Sequence, residues 1–125
     1  MKVLIVDDEA PARDRLAHML TSIDDVQAAG EASNGIEAVE MVQSARPDVV
    51  LMDIRMPVMG GIEAVKTLRE QQVETPIIAL TANAMKEDRE QCYKAGCDGF
   101  LSKPVDVLLL TETLEKYLEN VELSA

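Results

Sequence analysis

The sequence predicts an α/β fold, a five-stranded parallel sheet, doubly wound, for which 2-1-3-4-5 is one of the common strand orders and the one adopted here by analogy. Three observations lead there. Five short apolar runs, Lys2–Val6, Val26–Ala32, Val49–Met52, Ile77–Leu80 and Gly99–Leu101, have the length of strands. Each is followed by a pattern of helical period, and strands joined by helices pair in parallel through right-handed crossovers. The runs are unbroken rather than alternating, as strands covered on both faces require.

Taken in order, the first helix has Pro11 near its start, where a missing N–H is harmless, and Leu16, Met19, Leu20 and Ile23 on one face. Asn34 is placed to cap the second, with Ile36, Val39 and Val42 pointing inward. The third follows Gly60-Gly61 and turns Ile62, Val65 and Leu68 inward. The fourth, "KEDREQCYKAG", is mostly polar and stops at Gly96. The fifth carries a stripe of Val107, Leu110, Leu114 and Leu118.

The 125 residues form a single expected domain, with its core at about residues 2–120. With 47% apolar residues, no Trp and one Phe, that core is aliphatic. A net charge of −11 repels phosphate backbones and anionic lipid, which argues against direct contact with nucleic acid or membrane. No signal-peptide pattern precedes the first strand and no apolar run approaches membrane length, so the expected compartment is the cytoplasm. Cys92 and Cys97 lack metal-site spacing and are expected as reduced, inert thiols. His18, alone on the outer part of the first helix, reads as a solvated side chain.

In sheets of this kind ligands bind at the carboxyl ends of the strands where strand order reverses, here between the first and third strands. The first strand runs into Asp7-Asp8, the third into Asp53, the fourth into Thr81 and the fifth into Lys103. Alone, each acid would be a helix cap or a solvated loop residue, Thr81 an N-cap and Lys103 a surface charge. Together they converge on one crevice. Two carboxylates about 5 Å apart repel by roughly 3 kcal/mol at an effective dielectric of about 20, a cost that a cation removes. Oxygen ligands at a partly open site suit Mg²⁺ or Mn²⁺. There is no phosphate loop of the GxxxxGK[ST] type, so a phosphoryl group would enter covalently, with Asp53 as the nucleophile. The metal and Lys103 would offset charge on its oxygens.

The segments "VLIVDDEA", "DVVLMDIRMPVMGG", "IIALTANA" and "GFLSKPV", in this order and spacing, closely resemble the receiver domain of two-component response regulators. The likeness spans almost the whole chain and implies a flavodoxin-like (βα)5 fold. It implies that Asp53 accepts a phosphoryl group from a sensor histidine kinase or phosphotransfer protein. It implies Mg²⁺ held by Asp8, Asp53 and the backbone carbonyl of Arg55, with Asp7 acting through a metal-bound water. Thr81 and Lys103 would bind phosphoryl oxygens, and Thr81 with Phe100 would form the switch. The Lys103–Pro104 peptide is expected to be cis. Such a protein is a signalling switch, not an enzyme beyond its own phosphoryl transfer and dephosphorylation, read from the face of the fourth helix, fifth strand and fifth helix. The alternative is a phosphorylation-independent interaction module of the same fold.

Three features stand apart from the pattern. Gly60-Gly61 replaces the family's frequent Asp-Gly, which would loosen that loop, and Arg55 and Asn83 occupy variable positions beside the site. "DDEAPARDRL" resembles regulators with a DNA-binding output domain, whereas "TANAMKEDREQCYKAGCDGFLSKP" resembles receivers fused to hybrid kinases. Leu108 and Leu109 lie off the stripe of the fifth helix, which suggests a homodimer or effector surface, although single surface leucines are ordinary.

Overall fold

The computed structural model describes every residue except 57, 83–85 and 125, and the side chains of all but 119–124 among the rest. Asn83, singled out above, lies outside the described residues.

The chain alternates strand and helix: β1 (Lys2–Val6), α1 (Ala10–Leu20), β2 (Gln27–Ala32), α2 (Gly35–Ala45), β3 (Val49–Asp53), α3 (Gly61–Glu70), β4 (Ile77–Thr81), α4 (Lys86–Ala95), β5 (Gly99–Ser102) and α5 (Val107–Ser124). The strands form one sheet in the order β2-β1-β3-β4-β5, and every pair is parallel. The predicted fold class and strand order are those observed. β3, β4 and β5 each run one residue beyond the apolar run, because Asp53, Thr81 and Ser102 continue the ladder.

Strand side chains alternate between two cores. Leu4 and Val6, Val50 and Met52, and Ile77 and Ala79 pack beneath α2, α3 and α4. Val3 and Ile5, Val49 and Leu51, and Ile78 and Leu80 pack beneath α1 and α5. Both faces are covered at β1, β3 and β4, which is why Val3–Val6, Val49–Met52 and Ile77–Leu80 carry no polar residue, whereas the edge strand β2 exposes Gln27 and Glu31.

Asn34 caps α2 as expected: its Oδ1 accepts the Glu37 N–H at 2.9 Å. The inward face of α2 differs from expectation. Gly35, Ala38 and Val42 are buried, Val39 packs at the margin, and Ile36 is 45% exposed. The cause is close docking of the β3–α3 loop: the Gly35 N–H donates to the Met59 carbonyl, and a Cβ on Gly35 would sit 2.6 Å from Met59 Cγ. Contact at the smallest residue rotates Ile36 outward. On α5, Leu110 and Leu114 are fully buried, but Val107, at the first turn, is exposed.

α4 has the weakest hold on the core, burying only Cys92 and Ala95 among its described residues. Its C-terminus is fastened by Arg69. The guanidinium donates to the carbonyls of Gly96, Val73 and Thr75 and to Asp98 Oδ2, at 2.8–3.0 Å. Gly96 has φ +120°, and a Cβ there would meet Arg69 Cγ at 2.8 Å, so glycine is required twice over.

Candidate functional site

Alternation along the strands decides which polar residues meet. Asp53 continues the series Val49, Leu51, and Asp7 the series Val3, Ile5; Lys103 continues from Leu101 on the same face. The ladder persists past the strand ends, since the Asp7 N–H donates to the Ala32 carbonyl (3.0 Å) and the Lys103 N–H to the Thr81 carbonyl (2.7 Å). Thr81 and Phe100 have the opposite parity and share the face under α4 with Ala79. Buried Thr81 and half-buried Phe100 thus lie between the acids and the least anchored helix.

Carboxylate oxygens of Asp7, Asp8 and Asp53 all lie within 4.8 Å of one another, with Asp7 and Asp53 buried and Asp8 exposed. Lys103 Nζ is 2.8 Å from Asp7 Oδ2 and 3.4 Å from Asp53 Oδ2. The second oxygen of Asp7 accepts the Glu9 N–H at 2.9 Å. Both oxygens of Asp7 are therefore engaged by donors. Asp53 Oδ1 accepts the Arg55 N–H at 3.2 Å, and the exposed Asp8 is open to solvent.

Burial pushes the Asp53 carboxyl up from its ordinary value; the Lys103 charge and the Arg55 N–H oppose this, and Asp7 reinforces it. Burial alone would lower the Lys103 ammonium. Its hydrogen bond to Asp7 and the charges of Asp53 and Asp7 together outweigh burial, and the net direction is upward. Three clustered carboxylates against one ammonium leave the pocket with surplus formal negative charge. All-oxygen donors with one face open are a fit for a hard divalent cation that keeps several waters.

Asp7, Asp8, Asp53 and Lys103 meet in this crevice and the Arg55 N–H adjoins it, whereas Thr81 and Phe100 lie on the other face of β4 and β5. The Lys103–Pro104 peptide is cis. Two supporting residues, Arg13 and Asp88, escaped the sequence reading, and a third, Gly61, was read there only as half of the Gly-Gly pair. Arg13 Nη1 donates to the Asp7 carbonyl at 2.7 Å and its Nε pairs with Glu31, bracing the end of β1. Gly61 lies against the backbone of β3: a Cβ would be 2.4 Å from the Asp53 carbonyl oxygen. That contact, with the Gly61 N–H on the Ile54 carbonyl, packs the Gly-Gly turn tightly against the strand. Gly60 has ordinary backbone angles and no such crowding, so it alone departs freely from Asp. Asp88 of α4 pairs with Arg55 at 3.8 Å. The Gly-Gly pair was a visible signal; the two ion pairs depend on how elements face each other and left none. The thiols of Cys92 and Cys97 are buried; burial raises both, that of Cys97 to about 12, so neither is a nucleophile at neutral pH.

Comparison with known proteins bears on this arrangement. Residues 3–115 match the family model described as the response regulator receiver domain. The chain is 41% identical over 103 residues to the chemotaxis protein CheY of Halobacterium salinarum, covering 82% of this chain and 84% of that one. It is 35% identical over 124 residues to the sensor histidine kinase RcsC of Escherichia coli K12, 99% of this chain but 13% of the kinase. A chain in the co-crystal structure of the Saccharomyces cerevisiae histidine phosphotransfer signaling protein Ypd1 and the receiver domain of its downstream response regulator Ssk1 superposes with a TM-score of 0.86 at 28% identity, covering 94% of this chain and 88% of that one. Receiver domains are phosphorylation-regulated switches of two-component systems rather than classical enzymes, and they bind Mg²⁺ at an acidic pocket. With the fold, the strand-end acids and the family match in agreement, the chain belongs to the response regulator receiver domain family.

Proposed function

We propose that Asp53 is the phosphoacceptor of this receiver domain and that phosphorylation there shifts the face formed by α4, β5 and α5. The observation that carries the reading is one ammonium, Lys103 Nζ, set between two buried carboxylates at 2.8 and 3.4 Å with a third within reach. In transfer from a phosphohistidine, the donor's P–N bond breaks as a P–O bond forms to an Asp53 carboxylate oxygen. The leaving imidazole nitrogen keeps the electron pair of the broken bond. Asp8, Asp53 and the Arg55 carbonyl would hold Mg²⁺ (or Mn²⁺), with Asp7 engaged through water. The ion, when bound, supplies charge neutralisation on the transferring oxygens.

Lys103 would leave Asp53 Oδ2 for a phosphoryl oxygen while keeping its contact with Asp7. Thr81 would turn its hydroxyl to another phosphoryl oxygen, and the space it vacates would accept Phe100, which lies on the same face. The donor would be a sensor histidine kinase or a histidine phosphotransfer protein, in line with the Ypd1–Ssk1 complex. Exposed Leu108 and Leu109 would meet an effector or a second copy. No described helix is long and apolar enough to cross a membrane, and the site of action we propose is the cytoplasm.

Incubation with Mg²⁺ and acetyl phosphate, read by intact mass, tests this. A gain of one phosphoryl group that is absent in Asp53→Ala supports it. No gain in the unaltered protein would favour a phosphorylation-independent interaction module instead.

A further inference from the structure

We infer that the Arg55 side chain is a charge relay that ties α4 to the β3–α3 loop in the unphosphorylated protein and releases it when Asp53 carries a phosphoryl group. This rests on the phosphoacceptor reading of Asp53 and goes beyond it to a route by which charge at the site reaches the helix.

The two ends of α4 are held very differently. Its C-terminal end is gripped by Arg69, whose five hydrogen bonds go to Gly96, Val73, Thr75 and Asp98. Among the described residues, the ion pair that reaches its first turn from another element is Arg55 Nη2 to Asp88 Oδ2, at 3.8 Å. Asp88 is largely covered, whereas Arg55 is mostly exposed and free to reorient.

Arg55 is also the residue whose N–H bonds to Asp53 Oδ1, at 3.2 Å, so its side chain starts beside the acceptor oxygens. Its backbone is fixed: the same loop is pinned by the Gly61 N–H on the Ile54 carbonyl and the Gly35 N–H on the Met59 carbonyl. Val58, a β-branched residue at φ +71°, is held there in the left-handed region. A fixed backbone leaves the guanidinium as the moving part.

Charge sets the direction of movement. Three carboxylates, one ammonium and a divalent cation make the pocket formally neutral. Replacing the Asp53 carboxylate by an acyl phosphate of about −2 leaves a surplus near −1 within reach of the guanidinium. Planar guanidinium pairs with phosphoryl oxygens in bidentate fashion, a better partner than a carboxylate at 3.8 Å. The first turn of α4 is then free to pivot about the end held by Arg69.

Amide hydrogen exchange with a double-mutant cycle tests the relay. The probes are the Glu90 and Gln91 amides, whose helical acceptors lie in the first turn. Without phosphodonor, Arg55→Ala and Asp88→Asn should each speed their exchange by about two- to five-fold, and the double variant no further. With Mg²⁺ and acetyl phosphate, the unaltered protein should rise to the same level and the coupling should vanish. Additive effects without donor, or coupling that persists after the phosphoryl mass gain, would overturn the relay and leave the phosphoacceptor reading intact. No mass gain would overturn both.

Discussion

Asp53 is a carboxylate whose surroundings disfavour its charge. Its carboxyl lies above the ordinary Asp range because burial outweighs the pull of Lys103. An acid raised in the folded state binds more protons there than in the unfolded chain, so stability falls as pH rises through that window. The penalty is absent below the ordinary Asp value and complete above the raised one. Without metal at neutral pH, Asp53→Asn is therefore expected to raise the urea midpoint, and the gain should disappear at about pH 3. Mg²⁺ should favour the unaltered protein and reverse the order. Gly61 has a separate role, as the place where α3 begins against the β3 backbone. Gly61→Ala forces a Cβ to within 2.4 Å of the Asp53 carbonyl oxygen, so backbone must move. We expect a loss of about 2 kcal/mol in urea unfolding and slower phosphoryl uptake by intact mass. The acids, Thr81 and Lys103 were legible in the sequence because each ends an apolar run, and strand ends share one edge. Arg13 and Asp88 were not, because their partners come from other elements and no period in the chain encodes that rotation.

At the scale of elements, burial separates supports from the moving part. α1 and α5 close one face over Leu16, Leu20, Leu110 and Leu114, while α4 commits only Cys92 and Ala95. Arg69 therefore carries much of the attachment of α4. Arg69→Ala removes five hydrogen bonds from one partly buried guanidinium and should cost about 2–3 kcal/mol, measured by urea unfolding. Amide exchange should quicken most around Gly96 and Asp98. The strands and the cap at Asn34 were readable from local pattern. The face of α2 was not: the helical period allowed Ile36 to point inward, but contact between Gly35 and Met59, residues far apart in the chain, turned it out. Likewise the stripe on α5 was correct at Leu110 and Leu114 and failed at Val107, which is exposed in the first turn of the helix.

For the whole molecule, order 2-1-3-4-5 brings β1 and β3 side by side at the centre, and their carboxyl ends bring Asp7, Asp8 and Asp53 into one cluster. That convergence was predictable once five parallel strands were recognised, whereas the faces that meet partners depend on exposure. Leu108 and Leu109 are 71% and 53% exposed at the start of α5. If they form the output surface, Leu108→Glu combined with Leu109→Glu should weaken self-association or effector binding of the phosphorylated protein at least about tenfold in analytical ultracentrifugation or titration, without loss of phosphoryl uptake. Unchanged association with and without phosphorylation would remove them from that role. The most direct measurement of the central claim is a crystal structure with Mg²⁺ and beryllofluoride, which imitates a phosphoryl group on a carboxylate. The expected result is beryllium on an Asp53 oxygen, fluorines contacted by Lys103 and Thr81, and the ion on Asp8, Asp53 and the Arg55 carbonyl. A vacant crevice under saturating reagents, with Lys103 still bridging Asp7 and Asp53, would contradict it.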